Sequence, residues 1–342
     1  MLILGDVATF KEKITFRNCP KEVALLLNCE GFLTNNISNS SSVVFNNVKF
    51  YINLSKEFDL IMNLSNNHTM DIDNGISQSL KFAYNNNLKC VGGGNNLSMA
   101  CRAYRFKEKN TNVSILSAGW DIIGCKPATT DKEGVAPIDS RRLIKQVQEE
   151  KALGNKVVVY FHWDYELEIY PHPTHRKLAK KLIDCGADII LGCHSHCLQG
   201  FEIYKEKFIF YGLGNTIFDE NYYFNSKLKF PDFCKLGLAI DWDPNTDKVR
   251  VSHTNYINDE LVFSHFISPE ESQELMSLST FAHLDDSQYI DFFRKNRRKK
   301  KFLPIFHEED TTLTYHLKRW FLLFRAVLIK KMFTLGLKGH SR

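Results

Sequence analysis

The chain has 342 residues, 44% of them hydrophobic and 13% aromatic, which is ample for a sizeable core in one large α/β domain or more than one domain. Nine cysteines at irregular spacing exclude a small disulfide-stapled scaffold and read as reduced thiols, and no apolar run approaches the roughly 20 residues of a membrane-spanning helix. The formal charge of +5 is uneven: Arg294 to Arg342 carries 14 Lys and Arg against 3 acids, leaving a mildly acidic body of 30 basic and 36 acidic residues.

Met1 to Gly5 reads as a buried strand ending on Asp6, followed by a helical or loop connection around Phe10 to Asn18. Val23 to Leu27 is a second such run, ending on Asn28, Cys29 and Glu30, which brings Glu30 near Asp6 if the two strands share a sheet. Ile37 to Asn47, rich in Ser and Asn, reads as a surface loop leading to a short strand at Val48 to Ile52. Phe58 to Leu64 is a third buried run and delivers Asn66, Asn67 and His68. Thr69 to Asn87 keeps helical spacing at Ile76, Leu80, Ala83 and Tyr84. The glycines at 92, 93 and 94 lack the Lys-Ser/Thr of a P-loop and predict a tight loop instead.

A hairpin is expected over residues 101 to 119 and an amphipathic helix over Asp139 to Leu153. Val157 to Phe161 is a β-branched and aromatic strand that stops on His162 and Trp163. Thr174 to Cys185 is helical by its spacing, with Gly186 as a cap, and Asp188 to Leu191 is a strand opening into Gly192-Cys193-His194-Ser195-His196. Strand, helix, strand with imidazoles at the same end of both strands is a βαβ crossover with a site where open α/β sheets place ligands. Two hairpins follow, Leu198–Tyr204 with Phe208–Gly212 and Leu236–Trp242 with Lys248–Thr254, and suggest a second sheet packed on the first. From Ser268 the pattern turns helical.

Five strand ends thus deliver Asp6, Glu30, Asn67-His68, His162 and His194-x-His196, the oxygen and imidazole donors that one or two divalent cations need (Mn, Fe, Zn or Mg). Alone, His-x-His reads first as a solvated loop pair; with Asp6, Glu30, Asn67 and His162 the reading turns to metal ligation. The order GD, NCEG, NNH, FHW, GCHSH and GLGN resembles the bacterial capsule-synthesis (CapA) family, tied to poly-γ-glutamate and related surface polymers and similar to the calcineurin-like metallophosphoesterases. The resemblance covers about residues 1–258, leaving 259–342 as a helical, basic extension. It implies a sandwich of two mixed β-sheets flanked by helices.

It further implies that Glu30 bridges two metals, with Asn67, His162 and His194 on one and Asp6 and His196 on the other. His68 stands where that superfamily has the histidine that protonates a leaving oxygen, and Asn66 and Asn215 are substrate or supporting contacts. The sequence departs from the family's pattern at Ala8, where an imidazole is usual, at Cys193 and Ser195, and at Asp164, which reads as a surface charge. His172 and His175 read as solvated helix caps. The implied activity is metal-dependent hydrolysis of a phosphoester or polymer-related bond by the surface-polymer synthesis machinery. The alternative is a non-catalytic, metal-binding assembly protein of that machinery.

No cationic and apolar leader precedes the first strand, so a cytoplasmic body is expected. The basic run Arg294 to Lys301, with the Trp-, Phe- and Leu-rich stretch Leu317 to Leu337, reads either as a peripheral contact of residues 294–337 with the inner membrane face or as a helical cap. A basic run without a recognition fold gives no expectation of nucleic-acid binding.

Overall fold

The computed structural model describes residues 1–21, 23–37, 41–298, 303–308 and 310–334, with the backbone alone at 326 and 329–334. Parts of the Ser/Asn-rich stretch (38–40), of the basic run (299–301) and of the last apolar stretch (335–337) lie outside the described residues.

Alternation along the buried strands builds the layers. In β1 (Leu2–Ala8) and β2 (Ala24–Cys29), Leu2, Leu4, Leu25 and Leu27 join one apolar cluster with the helices α1 (Val48–Leu54) and α2 (Gly75–Asn85), while Ile3 and Leu26 join a second. With β3 (Asp59–Asn63) these strands run parallel in a nine-stranded sheet. The hairpin β4 (Tyr104–Glu108) and β5 (Thr111–Gly119) belongs to a six-stranded sheet. Its central strand, β6 (Lys156–His162), sends Val158 and Tyr160 inward to meet Ile3 and Leu26. Val157, Val159 and Phe161 face outward, in a third cluster with α3 (Ser140–Ala152) and α4 (Pro173–Asp184). The result is helix, sheet, sheet, helix: the sandwich of two mixed sheets that the resemblance implied.

The unit β6–α4–β7 (Ile189–Cys193) is a parallel crossover, with β6 and β7 in register from Val158↔Ile189 to His162↔Cys193. The two later hairpins do not form one sheet together. β8 (Phe201–Tyr204) and β9 (Lys207–Phe210) extend the six-stranded sheet beside β7, and after β10 (Asn215–Phe218) the pair β11 (Leu236–Trp242) and β12 (Val249–Ile257) extends the nine-stranded sheet beside β1. The hairpin pattern is local, whereas the neighbour is chosen by apolar faces far away in sequence.

Val48 to Leu54 is a helix and not the expected strand. Its β-branched and aromatic residues read as extended, but Asn47 caps the segment by accepting from the Lys49 N–H, and Val48, Tyr51 and Leu54 share the buried face. Phe10 to Asn18 is a loop with a short edge strand, Thr15–Arg17. The expected boundary at 258 falls in the turn between β12 and β13 (Glu260–Phe263), which pairs with β12 and with Thr15–Arg17. Beyond it come α5 (Gln273–Leu278), α6 (Asp286–Asn296) and α7 (Thr312–Thr334); Phe281, Tyr289, Phe293 and Phe306 bury in the outer cluster of the six-stranded sheet.

Candidate metal centre

The C-terminal ends of β1, β2, β3, β6 and β7 meet at one point between the sheets. Asp6 lies where β1 slips register against both β2 and β10, an irregularity that re-aims a side chain, and its N–H is held by the Gly214 carbonyl at 3.0 Å. Glu30 follows β2, with its N–H on the Val7 carbonyl at 2.9 Å. The chain turns away at Gly31, whose φ of +99° and whose 2.5 Å separation between an added Cβ and the Val44 carbonyl oxygen admit only glycine. His162 is the last residue of β6. After β7, His194 (φ +92°) and His196 (φ +54°) stand in a backbone region that non-glycine residues seldom occupy, a strain found where a site is held by its surroundings.

Asp6, Glu30 and His162 form one group of possible ligands and Glu30, His194 and His196 another, with the donor atoms of each group within 4.8 Å of one another. Glu30 is common to both. His162 Nε2 lies 3.6 Å from Glu30 Oε2, and His196 Nδ1 lies 3.4 Å from Asp6 Oδ2. Asn67 Oδ1 joins them at 2.7 Å from His162 Nε2, and His194 Nδ1 is 3.1 Å from the same nitrogen. All six residues assigned to metal from the sequence therefore converge; of these, Asn67 alone is not fully buried.

His68 stands beside them with Nδ1 2.7 Å from Asp71 Oδ2. Asn215 Oδ1 meets His196 Nδ1 at 2.9 Å, and the same residue lines a cavity of about 350 Å³ with Phe218, Glu220, Phe230 and Tyr256. Asn66 is a clamp: its Oδ1 accepts from the N–H groups of Gly31, His68 and Thr69, and its Nδ2 donates to the Cys29 carbonyl. With both ends of its amide engaged, it fixes the turn that carries Asn67 and His68.

The electrostatics are those of a site built around positive charge it does not itself contain. Burial, then repulsion from Asp6, pushes the Glu30 carboxyl well above the carboxylate range, and Glu30 Oε1 is buried with no hydrogen-bond partner. Burial, then the neighbouring imidazoles, pulls His162 well below its ordinary value, and burial lowers His194 to about 3. Both rings are thus neutral and offer lone pairs, as metal ligation requires. Burial also pulls on His196, but its hydrogen bond to Asp6 and the charge of Asp6 outweigh that and raise it. Two buried carboxylates, an orphaned oxygen and neutral imidazoles suit a divalent cation.

Sequence reading missed four supporting residues. Asn28 Nδ2 donates to Asp6 Oδ1 and to Glu30 Oε2, both at 2.7 Å, and so spaces the two carboxylates. Asn63 holds Asn28 in turn, donating to its Oδ1 at 2.9 Å while accepting from the Ser65 N–H and Ser117 Oγ. The signal was an amide inside an apolar strand run for Asn63 and at the end of one for Asn28. Asp71, three residues after His68, orients that ring. Glu166 is the fourth, and its charge raises His194, His196 and Glu30. The glycine loop closes over the same network: Gly92, at φ +85°, packs so tightly that a Cβ would come 2.6 Å from Ser65 Oγ and 2.8 Å from Asn63 Oδ1.

Two expectations fail here. Asp164 is buried and not a surface charge: its Oδ1 meets His175 Nδ1 at 2.5 Å and accepts the His172 N–H. His172 does cap α4, accepting from the Thr174 N–H, but it is buried like His175, and its Nε2 accepts the Phe306 N–H. Residues near Phe306 cover this helix start from far along the chain, which local sequence does not reveal. Cys193, where the sequence departs from the family's pattern, stands outside both ligand groups: its thiol lies 3.0 Å from Tyr160 Oη, and burial pushes it well up.

Comparison with known proteins follows the same residues. The chain is 36% identical over 165 residues to the PGA biosynthesis protein CapA of Bacillus subtilis (47% of this chain, 43% of that one). It is 33% identical over 167 residues to the capsule biosynthesis protein CapA of Bacillus anthracis (47% and 41%). The chain thus spans less than half the length of these curated relatives. Among solved structures, the 5'-nucleotidase precursor of Thermus thermophilus aligns at 18% identity and a TM-score of 0.33, over 69% of this chain and 44% of that one. The family model for the bacterial capsule synthesis protein PGA_cap matches residues 21–220, which hold every candidate ligand except Asp6. The chain belongs to the PGA_cap family of bacterial capsule synthesis proteins.

Proposed function

We propose that the protein is a metal-dependent hydrolase of surface-polymer biosynthesis, cleaving a phosphoester or a polymer-related bond. The observation that carries this reading is the pair of ligand groups sharing Glu30, buried at the ends of four strands. Asp6, Glu30, Asn67, His162, His194 and His196 would hold one or two divalent cations, and a bound cation supplies Lewis acidity toward a phosphoryl or acyl oxygen. The chain's own residues supply the rest. Asn28 keeps the carboxylates apart and aimed, and Asn215 orients His196. His68, with Nδ1 taken by Asp71, keeps Nε2 to deliver a proton to a leaving oxygen. Family membership and the curated relatives' names support a substrate from capsule or poly-γ-glutamate synthesis.

One observation favours a second reading, a non-catalytic assembly protein that binds metal. Ala8 lies in an apolar cluster with Phe32, Phe45 and Phe218, so no donor comes from the position where related phosphoesterases place an imidazole. Hydrolysis of generic phosphoesters and γ-glutamyl substrates by chelated, metal-reloaded protein separates the two. Activity in the unaltered chain that His68→Ala abolishes while metal is retained supports the enzyme. Activity that appears only after Ala8→His supports the assembly role.

A further inference from the structure

The last helix, α7, is docked by one side only. Tyr315 and Leu322 pack on the outer cluster of the six-stranded sheet, Tyr315 Oη lies 3.3 Å from Asp121 Oδ1, Arg319 pairs with Asp121 at 3.2 Å and Lys318 with Asp310 at 2.6 Å. Leu313, Leu317, Trp320, Phe321, Leu323, Phe324, Val327 and Leu328 are 42% to 69% exposed. At helical spacing they cover an arc of about 160° on the side away from Tyr315 and Leu322. Half of the large hydrophobics exposed among the described residues lie on this helix.

We infer that this face of α7 lies on an anionic lipid bilayer, with the helix parallel to its surface. The charge of the surrounding chain fits that occupant: residues 294–342 carry 14 Lys and Arg against 3 acids, while the rest of the chain is net acidic. Arg325 lies beside the apolar arc at helical spacing, where headgroup phosphates meet a helix buried to its apolar boundary, while Lys318 and Arg319 are engaged with Asp310 and Asp121. No described helix is long and apolar enough to cross a membrane, so the helix rests on the bilayer and does not span it. The pairs to Asp121 and Asp310 hold the protein body on the far side. This inference stands apart from the metal chemistry.

The test uses the full chain and vesicles of phosphatidylglycerol with phosphatidylcholine, or of phosphatidylcholine alone. Flotation with the anionic vesicles only, weakening as salt rises, is the expected result. Trp120, Trp163 and Trp242 are already buried and Trp320 is 64% exposed, so a blue shift of tryptophan emission on binding reports this helix. The triple variant Leu317→Glu, Trp320→Glu, Phe324→Glu alters exposed side chains alone and should keep its circular dichroism while losing vesicle binding by more than about tenfold. Absence of anionic preference, or binding undiminished in the variant, overturns the inference. So does a dimer in sedimentation that the same substitutions disperse, which gives the face to a second copy.

Discussion

The centre at the strand ends and the Arg176–Glu202 cluster on the helix joining those strands are equally buried and oppositely paired. Glu202 receives Arg176 Nε at 2.5 Å and Nη2 at 2.9 Å, Tyr211 Oη at 2.9 Å and Lys180 Nζ at 3.0 Å. Arg176 also reaches the Leu284 carbonyl and stacks over Tyr289. In that cluster each charge is answered by its opposite, although Arg176 Nη1 makes no hydrogen bond and reaches Asp286 Oδ1 only at 3.6 Å. At the centre two carboxylates face each other, three imidazoles adjoin them, and an oxygen of Glu30 has no partner. The first cluster needs no further charge and serves stability. The second holds two carboxylates that a cation would answer, the difference between a structural ion pair and a candidate binding site.

Breaking the closed cluster has the largest expected effect. Arg176→Met removes the two guanidinium hydrogen bonds of Glu202 and leaves that buried carboxylate only Lys180 and Tyr211, and should cost about 3 kcal/mol, read as a lowered urea midpoint. A cost no greater than that of a surface substitution would mean the cluster is not closed as described. At the open centre Asn28→Ala leaves every ligand in place but frees the two carboxylates, and metal affinity should fall by about 10–100-fold in calorimetric titration. Unchanged affinity would remove Asn28 from its spacing role.

The two clusters should also respond with opposite sign. Glu30→Gln removes a buried carboxyl whose ionised form burial and Asp6 disfavour and one of whose oxygens has no partner, so the chelated protein should gain on the order of 1–3 kcal/mol at neutral pH. Loss of stability there would mean that Glu30 is already paired.

The smallest effect is a pH slope. His162 and His172 are held well below the ordinary imidazole value, and His194 at about 3. Each takes a proton in the unfolded chain but not in the folded one, so stability should fall as pH drops below about 6.5, by at most about 1.4 kcal/mol per pH unit for each proton. Glu30 and His196, both raised in the folded state, act the other way. The slope is therefore read in chelated Glu30→Gln protein, where His196 alone opposes three imidazoles. A flat profile between about pH 6.5 and 5 would contradict their neutral, buried state.

Much of the centre was legible because its ligands sit at strand ends, where a run of apolar residues stops abruptly on a carboxylate or an imidazole. Asn63 was hidden for the converse reason, since it lies within its run, and Asn28, though read as a strand end, gave no local sign that its amide faces Asp6 and Glu30. The roles of Asp164 and His172 depend on contacts with His175 and Phe306, and that of Glu166 on the loop bearing His194, across distances that periodicity does not span. Val48 to Leu54 shows the other failure, in which β-branched and aromatic residues suggested a strand and packing on α2's side of the sheet made a helix.

The central claim is that the buried group around Glu30 binds a divalent cation. Its most direct test is calorimetric titration of Mn, Zn, Fe and Mg into the chelated full chain, beside Glu30→Gln and His194→Ala. Binding of at least about one equivalent by the unaltered chain, lost or greatly weakened in both variants, is the predicted result. No binding by the unaltered chain, or equal binding by all three proteins, would contradict it.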